Sequence, residues 1–239
     1  MTRDVLLLPG MMLDARLWNG TVGGLGDAFA CSVADLASAD SIPDLADAAL
    51  ARAPHRFHFV GFSLGAIVAM AMWRRAPSRI ASISLLGFSP HADDPLRRTA
   101  REDQMACALQ GELAVLAREV WAPNYFWHAA PAAKLEAWTD EVADMALSLG
   151  ADVFCRQTRA QIARPDSVPS LASIEVPAMI VRGEDDRLVP ASDLALLARH
   201  IPHAQSATLQ GCGHMIPMEQ PEALCSLLRS FFKDIRHDH

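Results

Sequence analysis

The hydrophobic positions of the chain form two kinds of segment that alternate. Short runs of strand-like composition, bounded by glycine, proline or polar residues, predict strands, and the continuous apolar run Val5–Leu8 suits a strand buried on both faces of a sheet. These runs are Val5–Leu8, Phe29–Val33, Phe57–Val60, Ile80–Leu86, Ala178–Val181 and Ser206–Leu209. Longer segments with helical spacing or helix-forming composition predict helices at Pro43–Arg52, Leu64–Arg75, Ser192–His200 and Pro221–Phe232. This alternation predicts right-handed crossovers and a mostly parallel central sheet flanked by helices, which is an α/β fold.

The alternation is interrupted in the middle of the chain. Between about His91 and Ser167 the chain is rich in helix-forming residues and lacks strand-like runs. We expect helices there at Leu96–Gln110, Leu113–Val120, Ala132–Leu149 and Val153–Ile162. The simplest organisation is one α/β core of residues 1–90 and 168–239, with residues 91–167 inserted as a helical cap after the strand Ile80–Leu86.

Composition and charge exclude several classes of protein. The 239 residues are 51% hydrophobic, which is typical of a globular protein. A formal net charge of −7 argues against a general nucleic-acid binder, because phosphate contacts need a basic surface. No apolar run reaches the ~18 residues that a membrane helix needs, so no membrane association is predicted.

The cysteines and the start of the chain bear on localisation. The five cysteines are odd in number and contain no CxxC pair, which favours a reducing compartment. Pro9-Gly10 breaks the first apolar run too early for a signal peptide. We therefore expect a cytoplasmic protein.

The sequence GFSLG at positions 61–65 matches the pattern G-x-S-x-G. It follows a predicted strand and opens a predicted helix, which is the context that a nucleophile elbow requires. Such a turn lifts the serine hydroxyl into a pocket, and glycines two positions away on each side avoid collisions with neighbouring backbone. We predict Ser63 as a nucleophile. The alternative is an ordinary glycine-bounded turn with an incidental serine.

A serine nucleophile needs a general base and an acid that orients the base. His214 lies in a glycine-rich loop after the last predicted strand, at the edge of the sheet where ligands bind in open α/β folds. Glu184, Asp185 and Asp186 follow the fifth predicted strand, and two of these carboxylates are expected to be solvated. The chain order serine, acid, histidine is the one found in α/β hydrolases.

Three segments together resemble the α/β-hydrolase superfamily, in particular its compact, capped, single-domain esterases. GFSLG resembles the elbow, GEDDRLVP at 183–190 resembles the G-x-x-D-x-x-x-P acid loop, and QGCGHMIPMEQPEAL at 210–224 resembles the G-H-x-x-x-x-E-x-P histidine loop. The resemblance covers nearly the whole chain outside the cap. It implies the α/β-hydrolase fold and a catalytic triad of Ser63, Asp186 and His214, and it selects Asp186 over Asp185. It also implies cleavage of a small-molecule carboxylic ester through an acyl-enzyme, with no cofactor.

LPGM at positions 8–11 resembles the oxyanion-hole loop of the same family. Pro9 stands where the family usually has a histidine. The resemblance implies that the backbone N–H groups of Met11 and Leu64 form the oxyanion hole. Because the hole uses backbone groups, the proline need not abolish it.

The substrate is not fixed by these motifs. Candidate substrate contacts lie near the predicted site or in the cap: Met12, Trp121, Tyr125, Phe126 and Met215. The aromatic residues in this set could equally form the core of the cap. A lactonase, a thioesterase and a carbon–carbon bond hydrolase would use the same triad, and a ligand-binding sensor could retain the fold without turnover.

An acyl-carrier protein is a further possible partner. Arg97, Arg98 and Arg101 cluster in the cap and form either a solvated helix face or a basic docking surface. A methyl esterase that acts on an acyl-carrier protein would need such a surface.

Two other kinds of chemistry are set aside. The histidine pairs at positions 55/58 and 200/203 lack acid or cysteine partners, so no metal site is predicted. His237 and His239 are assigned to a charged tail. Cys212 lies close to His214, and we interpret it as a packing residue of the loop and not as a catalytic thiol.

Overall fold

The computed structural model describes residues 3–235, so His237 and His239 lie outside the described part. Within it, six strands form one sheet: β1 Asp4–Leu8, β2 Ala30–Val33, β3 Phe57–Phe62, β4 Ile80–Leu86, β5 Ala178–Gly183 and β6 Gln205–Leu209. Their order is β2-β1-β3-β4-β5-β6, and every neighbouring pair is parallel. The predicted α/β fold with a parallel sheet flanked by helices is confirmed.

Residues 3–235 also contain twelve α-helices. They are α1 Asn19–Leu25, α2 Ile42–Arg52, α3 Leu64–Arg75, α4 Arg98–Cys107, α5 Leu113–Val115, α6 Ala122–Tyr125, α7 Ala132–Leu149, α8 Ala151–Ile162, α9 Val168–Leu171, α10 Ala191–His200, α11 Ile216–Glu219 and α12 Pro221–Ile235. The four helices predicted around the sheet, α2, α3, α10 and α12, are present with nearly the expected bounds. Across the described range, no helix has the length and apolar character needed to cross a bilayer.

Helix α1 was not predicted, because three of its seven residues are glycine and glycine disfavours helices. Its glycines serve close packing. A Cβ on Gly20 would lie 2.7 Å from Pro221 Cβ, and one on Gly24 would lie 2.2 Å from Cys225 Sγ. Contact with α12 therefore overrides the weak local propensity.

The two faces of the sheet are covered by separate helical layers. Val5 and Leu7 of β1 pack in a cluster with residues of α1 and α12, whereas Leu6 and Leu8 pack on the other face with residues of α2 and α3. Alternate residues of a strand point to opposite faces, so a continuous apolar run fits a strand covered on both sides.

The chain between β4 and β5 is helical, as the sequence predicts, but the helices are more broken than expected. The predicted helix 96–110 ends as α4 at Cys107 and continues as a π-helical turn, Ala108–Glu112, in which Gly111 adopts φ 92°. The predicted helix 113–120 is α5 followed by a second π-helical turn, Leu116–Trp121. Helices α7 and α8 contain the last two predicted segments.

The sheet order places the site. After β1 the chain continues to β2 on one side of the sheet, whereas after β3 it continues to β4 on the other side. The loops that leave the carboxyl ends of β1 and β3 therefore diverge and open a crevice, which is where ligands bind in open α/β sheets. Pro9–Met12 follows β1 and Ser63 follows β3.

Candidate active site

Ser63 lies on a strained turn between β3 and α3. Its φ of 51° falls in the left-handed region that side chains rarely adopt. A Cβ on Gly65 would lie 2.1 Å from the Leu8 carbonyl oxygen, and one on Gly61 would lie 2.7 Å from Ala66 Cα. Both glycines are therefore required by close backbone approach, which is the physical basis of the G-x-S-x-G pattern.

Asp186 and His214 form a buried pair at the carboxyl edge of the sheet. Asp186 Oδ2 lies 2.8 Å from His214 Nδ1, and the two residues are 4% and 2% exposed. The other oxygen, Asp186 Oδ1, accepts the N–H groups of Leu188 and Val189 at 2.9 Å each. Burial alone would raise the pKa of Asp186, but the neighbouring His214 and these hydrogen bonds hold it below its usual value.

His214 is oriented on several sides. Its backbone N–H donates to the Tyr125 carbonyl at 2.6 Å, and the centroid of its ring lies 4.9 Å from that of the Phe62 ring. Gly87, at φ 52°, follows β4, and a Cβ there would approach His214 Cε1 to 2.9 Å. His214 Nε2 is buried and has no hydrogen-bond partner in residues 3–235. Nδ1 thus faces Asp186, and His214 lines the same cavity as Ser63.

Glu219 and Arg182 support the histidine and acid loops. The sequence motifs did not identify either residue as part of the site. Glu219 accepts the N–H groups of Gly213, Met215 and Trp127 at 2.7–3.0 Å. Arg182, at the end of β5, donates to three backbone carbonyls of the acid loop, including that of Asp186. Glu219 belongs to the segment that resembles the family histidine loop, so that segment was the available signal. No pattern in the sequence indicated the role of Arg182.

Burial and neighbouring charge affect the other groups near His214. Burial raises the pKa of Glu219, and the hydrogen bonds it accepts offset part of this effect. Burial, with the nearby carboxylates of Glu219 and Asp186, raises the pKa of Cys212 strongly. Its thiol stays protonated near neutral pH, which agrees with a packing role and not with a nucleophile.

The two predicted oxyanion donors, Met11 and Leu64, come from different parts of the chain. Met11 belongs to the loop after β1 and lines the cavity, and Leu64 is the first residue of α3. Neither backbone N–H donates a hydrogen bond to another described residue. Both groups therefore have the free donor that an oxyanion hole needs.

A cavity of about 510 Å³ adjoins Ser63 and His214, within the usual size range of small-molecule sites. Its apolar lining includes Met12, Trp121 and Tyr125 from the predicted substrate contacts. The Trp121 ring packs 5.0 Å from the ring of Phe154, another lining residue.

Two of the predicted substrate contacts lie elsewhere. Phe126 is buried and stacks on Trp138 with ring centroids 5.4 Å apart, and Met215 is fully buried in the same cluster beneath the site. Neither is among the residues that line the cavity. The structure thus places Phe126 and Met215 in a buried cluster and not in the cavity wall.

Similarity to known proteins identifies the family of this chain. Residues 5–227 match the model of the family described as the alpha/beta hydrolase family. The chain belongs to the alpha/beta hydrolase family. A solved structure of a thermophilic esterase from Thermogutta terrifontis has a TM-score of 0.85 to it at 23% identity, and the match covers 97% of this chain and 90% of that one. This likeness shows the fold.

Curated relatives of this chain carry esterase and lipase names. Monoacylglycerol lipase ABHD6 of Mus musculus is 25% identical over 194 residues, which cover 76% of this chain. The match spans only 56% of the length of that lipase. The pimeloyl-acyl-carrier-protein methyl ester esterase of Nitrosomonas europaea is 22% identical over an alignment of 246 residues, which covers 93% of each protein.

In the predicted cluster of Arg97, Arg98 and Arg101, two arginines pair with carboxylates, whereas Arg97 is exposed and lines the cavity. Arg98 pairs with Glu102 at 3.1 Å on the surface of α4. Arg101 turns toward the cavity and donates twice to the buried Asp93, at 2.8 Å each. Arg101 therefore does not belong to the same exposed face as Arg98.

Asp185 is not simply a solvated carboxylate, as the sequence suggested. Its Oδ2 lies 2.7 Å from His128 Nδ1, and Arg187 is 3.5 Å away. Its neighbour Glu184 is exposed, as expected. Asp185 therefore joins the acid loop to the chain between α6 and α7.

The histidine pairs set aside earlier do not gather ligands. Among residues 3–235, no group of three or more histidine, cysteine or acidic side chains is placed to hold a metal ion. His58 is buried in β3, with Nδ1 2.8 Å from Ser82 Oγ. All five cysteines are free thiols.

Proposed function

We propose that the protein is a serine hydrolase that cleaves a small-molecule carboxylic ester through an acyl-enzyme on Ser63. The observation that carries the proposal is the buried His214–Asp186 pair, in which Nδ1 lies 2.8 Å from the carboxylate while Nε2 has no partner among the described residues. Ser63, on its strained turn, lines the same cavity. The family membership and the esterase names of relatives support the same chemistry.

The first half of the reaction forms the acyl-enzyme. His214 Nε2 takes the proton of Ser63 as Oγ attacks the ester carbonyl carbon, and the carbonyl π electrons move to oxygen. The tetrahedral intermediate then re-forms the carbonyl and breaks the bond to the alkoxy oxygen, which receives the proton from His214 and leaves as the alcohol. Asp186 keeps the proton of His214 on Nδ1 in the resting state and stabilises the imidazolium between these steps.

The second half releases the acid. Water attacks the acyl carbon as His214 Nε2 takes its proton, and collapse of this intermediate returns the proton to Ser63 Oγ. In both halves the backbone N–H groups of Met11 and Leu64 stabilise the oxyanion. The residues of the triad suffice for this chemistry without a cofactor.

The cavity favours a small apolar acyl group. Met11, Met12 and Trp121 contribute apolar surface to the cavity that Ser63 also lines. In the proposal, residues 91–167 act as a cap that supplies the distal wall and limits acyl length. The free thiols suit a reducing compartment, so the reaction is assigned to the cytoplasm.

A second candidate substrate is an ester carried by an acyl-carrier protein. The name of the Nitrosomonas europaea relative and a match over 93% of each protein favour it. The pairing of Arg98 with Glu102 and of Arg101 with Asp93 argues against a basic docking face. If a carrier were the partner, its methyl ester should be cleaved with a much higher kcat/KM than the same acyl group as a free methyl ester.

A panel of substrates tests the proposal and separates its alternatives. Short p-nitrophenyl esters, lactones, acyl thioesters and a vinylogous diketone would be assayed with wild type and Ser63→Ala under the same conditions. Ester turnover that is lost in Ser63→Ala supports the proposed function, and preference for another class redirects it to a lactonase, thioesterase or carbon–carbon hydrolase. Thermal stabilisation by ligands without any turnover would point instead to a sensor.

A further inference from the structure

Gln157 connects three separate parts of the chain at the active site. Its Oε1 accepts the Met12 N–H at 2.8 Å, across 145 positions of sequence. Its Nε2 donates to the Leu36 carbonyl at 2.9 Å. The residue lies on α8 and is only 1% exposed. A single buried amide thus holds the loops that follow β1 and β2 against a helix of the segment between β4 and β5.

The loop that Gln157 holds is strained. Met12 has φ 57°, which is rare for a residue with a side chain and persists only where the surroundings enforce it. Two features enforce it here. The Met12 side chain packs among residues of the helical segment, including Leu116 and Phe154, and its N–H is held by Gln157.

This hydrogen bond also constrains Met11. Since the peptide unit is planar, fixing the Met12 N–H fixes the Met11–Met12 peptide plane and restricts the backbone of Met11. Pro9, two residues earlier, offers neither an N–H nor a polar side chain with which to anchor the loop. The anchor therefore comes from the helical segment.

We propose that Gln157 is a positioning residue that keeps the Met11 N–H directed at the developing oxyanion. The inference rests on the proposed function. Gln157 does not touch the substrate, because its neighbours Phe154 and Thr158 line the cavity and Gln157 does not. Its effect should therefore fall on the chemical step and not on substrate binding.

The test compares Gln157→Met, which keeps the size of the side chain and removes both hydrogen bonds, with Arg156→Met as a matched control. Arg156 is the preceding residue of α8 and holds only the neighbouring Ala37 carbonyl, at 3.0 Å. With a p-nitrophenyl ester, Gln157→Met should lower kcat by about 10–100-fold and change KM by less than about twofold. The control should keep wild-type kcat within about twofold.

A second readout separates positioning from a merely structural role. A boronic acid that bonds to Ser63 places an oxygen in the oxyanion hole, so its affinity should fall in Gln157→Met in proportion to kcat/KM. Gln157→Asn, which withdraws the amide by one methylene, provides the same comparison if the methionine variant does not fold. The inference would be overturned if both variants fold and keep wild-type kcat, or if Arg156→Met loses as much kcat as Gln157→Met. It would also be overturned if kcat falls while the affinity for the boronic acid is unchanged. Failure of both variants to fold would overturn it as well.

The proposed function can fail separately. If Ser63→Ala retains esterase activity, the serine mechanism is wrong whatever Gln157 does. If Ser63→Ala is inactive and Gln157→Met is not impaired, only the positioning role is lost.

Discussion

Asp185 and Asp186 are adjacent in sequence, and each lies against a different histidine. Asp186 Oδ2 is 2.8 Å from His214 Nδ1 inside the molecule, and Asp185 Oδ2 is 2.7 Å from His128 Nδ1 near the surface. The His214 side chain is 3% exposed, whereas that of His128 is 60% exposed. The two carboxylates thus make similar contacts in very different surroundings, and only one of the contacts adjoins Ser63.

Substitution of each aspartate by asparagine should separate the two roles. Asp186→Asn should leave the fold intact and lower kcat by ~10⁴, because an amide favours the wrong tautomer of His214. Asp185→Asn should keep kcat within about threefold, since neither Asp185 nor its partner His128 lines the cavity. Steady-state kinetics on one ester measures both variants, with circular dichroism as the check of folding. A larger loss in Asp185→Asn would move the orienting acid by one residue.

The nucleophile and the base should behave as one unit. Ser63→Ala and His214→Ala should each lower kcat by several orders of magnitude, and the double variant should be little worse than either. The reason is that removal of either group leaves the other without a function in acyl transfer. The measurement is kcat for the three variants on the same substrate. Losses that multiply in the double variant would show that the two residues act independently.

Trp121 and Phe126 should differ in what they control. Trp121 lines the cavity, so Trp121→Ala should change the ratio of kcat/KM between short and longer acyl esters by roughly 10–200-fold. Phe126 is stacked on Trp138 in the core, so Phe126→Ala should lower the free energy of unfolding by ~3–5 kcal/mol and leave that ratio unchanged. An acyl-length profile and a denaturation curve are needed for each variant. An unchanged profile in Trp121→Ala would exclude this residue from the acyl pocket.

The different positions of Trp121 and Phe126 could not be predicted from the sequence. Both belong to one short aromatic stretch, and no periodic pattern indicates which of them faces a cavity. The π-helical turn Leu116–Trp121 rotates the chain just before α6, so helical spacing does not predict the direction of the side chains. Only the packed structure separates Trp121 from Phe126.

Other features were predictable because they depend on local chemistry. Most of β1 is a continuous apolar run, and Gly61 and Gly65 flank Ser63 for steric reasons that the G-x-S-x-G pattern reflects. Gln157 and Arg182 could not be assigned in this way. Gln157 supports a site residue across 145 positions of sequence, and the partners of Arg182 are backbone carbonyls that leave no pattern of residue types.

Glu219 should make stability depend on pH. Its pKa in the folded protein is raised by burial above the ordinary value of 4.5, so folding favours its protonated form. Its contribution to stability is full below pH 4.5 and is lost as pH rises through the raised pKa. The lowered pKa of Asp186 acts in the opposite sense, but only near and below its ordinary value of 3.8.

Glu219→Gln isolates this effect, because glutamine does not titrate. The variant should be less stable than wild type at low pH, since its amide presents a donor to backbone N–H groups. The difference in Tm between the two proteins should then narrow as pH rises above 4.5. A difference that stays constant from pH 4 to pH 8 would show that burial does not raise the pKa of Glu219.

Covalent trapping tests the central claim, that Ser63 is the nucleophile activated by His214. Wild type, Ser63→Ala and His214→Ala would be treated with an organophosphonate that transfers its phosphonyl group to activated serines, and the intact mass and modified peptide would be determined. We expect one phosphonyl group per wild-type chain, located on Ser63, none on Ser63→Ala, and a reaction slowed by several orders of magnitude in His214→Ala. Stoichiometric modification at another residue, or equal rates in wild type and His214→Ala, would contradict it.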